Sequence, residues 1–173
     1  MGFMTAHTST HTLQALASHR WAALNTRDFA ALDPARTVAV LPLGATEQHG
    51  PHLPVSVDTT LVDGVIAASL PHLPADLPVL FLPTQQVGKS NEHIRFPGTI
   101  TLSAETLLAT LAEVADSVAR AGFRKLAFVN GHGGQPQVVQ IAAREARLRH
   151  GDLAVFPTFI WSVPSWMRWP APV

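Results

Sequence analysis

The residues able to do chemistry crowd into one stretch. Between Leu41 and Asp58 stand Glu47, His49, His52 and Asp58, interleaved with Gly44, Gly50, Pro51 and Pro54. Glycine and proline at this density keep the backbone out of regular helix or sheet. Carboxylate oxygens and neutral imidazole nitrogens on such a loop suit zinc, manganese or iron, and donors two residues apart on extended backbone can converge on a dinuclear centre. Two more groups lie downstream. Ser90-Asn91-Glu92-His93 falls in a long irregular stretch, residues 83–101, of the kind that is usually functional inside a compact domain. In Asn130-Gly131-His132-Gly133-Gly134 the glycines let the backbone approach a group held by His132. The alternative for that segment is a Gly-rich anion cradle, but its spacing matches neither the dinucleotide nor the P-loop fingerprint. His7, His11, His19, His72 and His150 stand outside these motifs and read as surface or structural residues.

Periodicity says what must position these groups. Residues 36–43 are β-branched and apolar without alternation, as in a strand covered on both faces. Short strands at 79–82, 125–129 and 153–159 follow, separated by helical patterns. Asp58 is an N-cap for a helix that Pro71 stops; Ser103 caps a helix closed by Gly122; Gln135 caps one with Pro136 at its first position and Gly151 at its end. A surface helix is expected over residues 12–25, ahead of the first strand. Strands alternating with helices make βαβ units, hence an α/β three-layer sandwich with a mainly parallel sheet and helices on both faces. In such a sheet the loops after successive strands open into one crevice, so Glu47, His49, Asp58, His93 and His132 can meet although far apart in sequence.

The totals narrow the function. The chain has 173 residues with a formal net charge of zero, so it fits one domain and carries no basic stripe that would draw nucleic acid. Cysteine is absent, which removes disulfides, thiolate metal sites and a thiol nucleophile together. No apolar run approaches the roughly 20 residues of a membrane span, so no membrane partner is expected and a cytoplasmic location is the default. Charged residues make up only 14% of the chain, against about 25% in ordinary soluble domains. Either other subunits cover part of the surface or the composition is simply alanine-rich.

These motifs resemble the successive signatures of the creatininase (creatinine amidohydrolase) family. They are Glu47-Gln48-His49-Gly50-Pro51-His52-Leu53-Pro54 with Asp58, Ser90-Asn91-Glu92-His93 with Phe96-Pro97-Gly98-Thr99, and Asn130-Gly131-His132-Gly133-Gly134. Their order along residues 36–159 is far more specific than any one of them. The resemblance implies a dinuclear zinc or manganese centre, a homo-oligomer often built as a hexamer, and hydrolysis of amide C–N bonds in a small-molecule amide by a metal-activated water. It assigns Glu47 and His132 to one metal, His49 to the other and Asp58 to the bridge between them. His93 and Glu92 become the catalytic residues on the substrate side, with Trp161 a weaker candidate for the pocket wall.

Two features depart from the pattern. Creatininase itself has a glutamate two positions after the equivalent of His132, where this chain has Gly134. Relatives with the Gly-Gly form take their remaining carboxylate from a later segment, and no such segment occurs before Val173. Residues 1–173 are thus expected to form a single domain without the family's C-terminal part. Beside the small-amide hydrolase stand two rival readings: a peptidase-like member trimming a short modified peptide, and a non-catalytic remnant with one weak metal site.

Overall fold

Strand β1 (Val38–Leu43) is the axis of the fold because both of its faces are apolar. Ala39, Leu41 and Leu43 enter one core cluster, whereas Val40 enters another and Val38 packs against it. The structure, a computed structural model, describes residue 16, residues 18–74 and residues 76–162. Within these, β1, β2 (Val79–Phe81), β3 (Lys125–Asn130) and β4 (Ala154–Phe159) form one parallel sheet in the order β2-β1-β3-β4. Helix α2 (Val57–Ser69) lies on one face, burying Val62 and Ile66 against Val40, Val79 and Phe81. On the other face α3 (Ala104–Arg120) and α4 (Pro136–Arg149) bury Leu107, Leu111, Val118, Val139 and Ala143 around Leu126 and Phe128. The expected three-layer α/β architecture is therefore what the chain adopts.

Several local expectations need correction. Residues 12–15 and 17 lie outside the described residues, but 18–25 are not α-helical. Arg20 instead bridges to Phe81, a 3₁₀ turn spans Trp21–Ala23, and Asn25 starts a short helix α1 (Thr26–Ala31). The reasons are packing and capping: the Trp21 ring packs on Phe29 and Phe123, and Asn25 and Asp28 form a reciprocal capping box. Asp58 is not an N-cap, since α2 begins at Val57 and Asp58 occupies its first turn. Gln135 holds the N-cap position of α4 without capping it, its side chain being engaged elsewhere. Ser103 caps α3 as expected, accepting from the Thr106 N–H at 3.2 Å. Among the described residues no helix is long and apolar enough to cross a membrane.

The strand order fixes where a site can form. From β1 the chain crosses to β2 on one side, and β3 then returns to the other side of β1. The loops leaving β1 and β3 consequently part company at the C-terminal ends of adjacent strands, which is the place where open parallel sheets hold ligands.

Candidate metal centre

Three loops supply the polar side chains at that edge. The loop after β1 carries Glu47 and His49 and runs into α2 with Asp58; the loop after β2 carries Ser90, Glu92 and His93; the loop after β3 carries His132. They are tied together before any ligand is considered. Gly44 N–H donates to Gln85 O, Ile100 N–H donates to Thr46 O, and Gly131 N–H donates to Leu43 O. At the junction sits Gln135, 1% exposed. Its amide donates to Asn130 Oδ1 at 2.9 Å and to Gly44 O at 3.2 Å, and its Oε1 accepts from Lys89 N–H at 3.0 Å. One side chain thus touches all three loops. Asn130 completes the lock, donating to His132 O at 2.6 Å and accepting from His132 N–H at 3.2 Å.

Glu47, Asp58 and His132 are buried, at 5%, 7% and 2% exposure. His132 Nδ1 lies 3.4 Å from Glu47 Oε1 and 2.8 Å from Asp58 Oδ2, while His49 Nε2 lies 3.4 Å from Asp58 Oδ1. Backbone carbonyls orient both rings. With its proton on Nε2, His132 donates to Lys89 O at 2.9 Å, and with its proton on Nδ1, His49 donates to Glu47 O at 3.2 Å. The remaining nitrogens then present lone pairs to carboxylate oxygens. Fixing a ring through its far N–H is how proteins prepare an imidazole for a metal.

Left to themselves these atoms are a knot of acceptors. Glu47 Oε2 and Asp58 Oδ2 are buried without a hydrogen-bond donor. For Asp58 Oδ2 the 2.8 Å distance to His132 Nδ1 suits a bond, but the approach is poorly aligned for an N–H, so what joins the two, when the ring takes up a second proton, is charge attraction. That attraction is felt at His132. Burial works to lower its pKa, yet the Asp58 carboxylate, the Lys89 carbonyl and the charge of Glu47 outweigh burial and raise it.

A cation would resolve the knot. Nitrogen and oxygen donors about 2.1 Å from a four-coordinate zinc stand ~3.4 Å apart, and this is the separation within both the His132–Glu47 and His49–Asp58 pairs. Two groups of donors lie within mutual reach for an ion, one of Glu47, His49 and Asp58, the other of Glu47, Glu92 and His132. Imidazole and carboxylate without thiolate fit zinc, manganese or iron.

The other expected residues fall as follows. His93 is half-buried, with Nε2 3.8 Å from Glu47 Oε1 and its ring edge-on to Phe96. Glu92 is exposed, with Oε2 4.0 Å from Lys89 Nζ. Its Oε1 occupies the space that a side chain at position 134 would need: a Cβ built on Gly134 would collide with Glu92 Oε1 and His132 Nε2. Trp161 is exposed and stacks on Phe159. His19 and His150 have structural partners, Val79 O and Asp116; His7 and His11 lie outside the described residues. Gln135, Asn130 and Gln48 were not anticipated, and the one hint was polar side chains at or just beyond the end of a buried strand.

The family model described as creatinine amidohydrolase matches residues 22–172. The chain belongs to the creatininase family. A mycofactocin precursor peptide peptidase from Mycobacterium tuberculosis is 46% identical over 101 residues, covering 55% of this chain and 40% of that protein. A creatinine amidohydrolase from Pseudomonas putida is 32% identical over 143 residues, covering 78% and 53%. The solved structure described as creatininase Mn superimposes with a TM-score of 0.70 at 30% identity, covering 83% of this chain and 59% of that one. This creatininase-family chain therefore spans about half the length of the relatives it matches.

Proposed function

We propose that this chain carries the metal centre of an amide hydrolase, with Glu47 and His132 holding one divalent cation, His49 the other, and Asp58 shared between them. The observation that carries the reading is a pair of buried carboxylates, each with one oxygen that has no donor (Glu47 Oε2 and Asp58 Oδ2), set against imidazole nitrogens: His132 Nδ1 lies 3.4 Å from Glu47 Oε1 and 2.8 Å from Asp58 Oδ2, and His49 Nε2 lies 3.4 Å from Asp58 Oδ1. Zinc or manganese bound here would supply Lewis-acid polarisation of a carbonyl and a water acidic enough to attack it. The chain's own part is positional. Lys89 O and Glu47 O fix the imidazoles, Asp58 sits in the first turn of α2 where the helix dipole favours its charge, and Gln135 holds the three loops in register. Glu92 and His93, on the rim from the loop after β2, face the side from which a substrate enters. Glu92 also stands within reach of Glu47 and His132, where it can add a carboxylate to that cation.

Two substrate classes are in play. A small, cyclic amide follows from the similarity to the creatinine amidohydrolase, and a short peptide terminus from the higher identity to the peptide peptidase. We read the chain as one subunit of a cytoplasmic homo-oligomer, as in the family resemblance; exposed Ile141, Leu148 and Phe156 support contact with further protein.

The test is metal content with turnover. Protein loaded with zinc or manganese and desalted should retain about two cations per chain, and a panel of creatinine, formamides and short peptides should contain an amide that is cleaved. His49→Ala should lose about one cation and all turnover. Retention of none by the parent chain, or unchanged activity in His49→Ala, would end the proposal.

A further inference from the structure

The loop after β1 contains a polar residue between its two candidate ligands that the metal centre does not use. Gln48 N–H donates to Thr99 Oγ1 at 3.3 Å, so its backbone is anchored to the loop after β2. Its side chain spans two partners. Gly50 N–H donates to Gln48 Oε1 at 2.9 Å, and the Gln48 amide nitrogen lies 2.9 Å from His93 Nδ1. Gly50 has a positive φ of 79°, a conformation that turns its N–H back toward Gln48 and that other residues rarely adopt.

The first contact fixes the second. Because a backbone N–H can only donate, the atom it meets must be the amide oxygen, and the NH₂ must therefore face His93. An NH₂ can only donate in turn, so His93 Nδ1 accepts and carries no proton. The remaining proton of a neutral ring is then on Nε2. The outcome is a ring whose Nε2–H has Glu47 Oε1 3.8 Å away, beyond hydrogen-bond distance, and is free to donate to an incoming group.

We infer that Gln48 is a positioning residue that sets the tautomer of His93, Nδ1 accepting and the proton on Nε2, making His93 a hydrogen-bond donor to the carbonyl oxygen of the amide rather than a proton-transferring acid. Negative charge grows on that oxygen as the carbonyl is attacked, and a donor aimed there beforehand stabilises the transition state more than the ground state. No proton changes hands at His93 in this role. The inference rests on the amide-hydrolase reading for the identity of the acceptor, but the tautomer itself does not.

The experiment is a long-range ¹H–¹⁵N spectrum of the histidine rings in the zinc-loaded full chain, with the His93 signals assigned by their loss in His93→Phe. The expected pattern is a bare Nδ1 and a protonated Nε2. Gln48→Glu, which presents only acceptors, should move a proton onto Nδ1, with zinc content unchanged. A protonated Nδ1 in the parent chain, or a His93 pattern indifferent to Gln48→Glu, overturns the proposal whether or not a substrate is known. On the amide found in the panel, His93→Phe should lower kcat roughly 100-fold with little change in KM. His93→Gln, which can donate but cannot shuttle a proton, should recover a large part of that loss. If His93→Gln is as inactive as His93→Phe while the spectra are as expected, the donor role fails and the tautomer clamp alone survives.

Discussion

Glu47→Gln should make the metal-free protein more stable and the metal-loaded protein less so. Glu47 is 5% exposed, its Oε2 has no donor, and its Oε1 faces His132 Nδ1 at 3.4 Å. A buried acceptor without a partner costs about 1–3 kcal/mol, and here it carries charge beside a second carboxylate. Glutamine keeps the shape, removes the charge and offers an NH₂ to surrounding acceptors. The metal-free gain should be of the same size, roughly 2–12 °C in melting temperature for a domain of this length. Zinc at a hundredfold excess over its Kd stabilises the parent chain by about 2.7 kcal/mol, and the variant, short of one ligand, should keep little of that. Melting curves in chelator and in zinc should therefore cross. The gain in chelator should also grow in mildly alkaline buffer. The folded-state pKa of His132 is raised, so its ionic pairing with Glu47 and Asp58 is fully present below its usual value of 6.5 and is lost as pH rises through the higher folded value. A variant that melts below the parent in chelator, and gains as much from zinc, would refute the account of these carboxylates.

Other consequences are simpler to state. Gln135→Leu strips partners from Lys89 N–H, Gly44 O and Asn130 Oδ1 at once, and should cost at least about 2 kcal/mol in urea unfolding while loosening bound zinc. Gly134→Ala drives a methyl into His132 Nε2 and Glu92 Oε1; competition with a chromophoric chelator should show zinc affinity falling roughly 10–100-fold, and adding Glu92→Ala should recover only part, since the collision with His132 remains. On α3, Asp116 accepts from His150 and pairs with Arg149 at the end of α4, and these contacts, the His150 bond first, lower its pKa below the usual 3.8. The stabilisation is present above that value and is lost as pH falls through the lower folded one. Asp116→Asn should thus cost only about 0.2–1 kcal/mol near neutrality, as for an exposed pair, and flatten the acid limb of the stability profile.

Much of the fold could be read directly from the chain because its strongest signals agree. The run at Val38–Leu43 is apolar at every position, and a strand covered on both faces needs nothing else. Leu107, Leu111, Ala115 and Val118 mark the buried face of α3 at helical spacing, with Ser103 before it and Gly122 after. The expectation for residues 12–25 failed where it competed with tertiary contacts: Trp21 fits a helical stripe but finds Phe29 and Phe123 instead, and Arg20 pairs with Phe81 at the sheet edge. In the site, Glu47, His49, Asp58 and His132 announce themselves because their side chains are the usual metal donors. Gln48, Asn130 and Gln135 do not. A neutral amide carries neither a charge nor a ligand preference, and only coordinates show which carbonyl or ring it serves.

That difference bears on how the centre is built. The four donors would be expensive to bring together if each had to be ordered by the cation, since two buried carboxylates repel and imidazoles rotate freely about their side-chain bonds. Here the ordering is done by groups that bind no cation: Lys89 O and Glu47 O set the rings, Asn130 and Gln135 set the loops, and the first turn of α2 sets Asp58. An ion arriving at such a site would find the geometry already made, and its binding energy would go into relieving the carboxylates rather than into folding the loops. It follows that chelation should lower stability without unfolding the sheet, and that damage to the amides should weaken the metal centre while leaving every ligand in place.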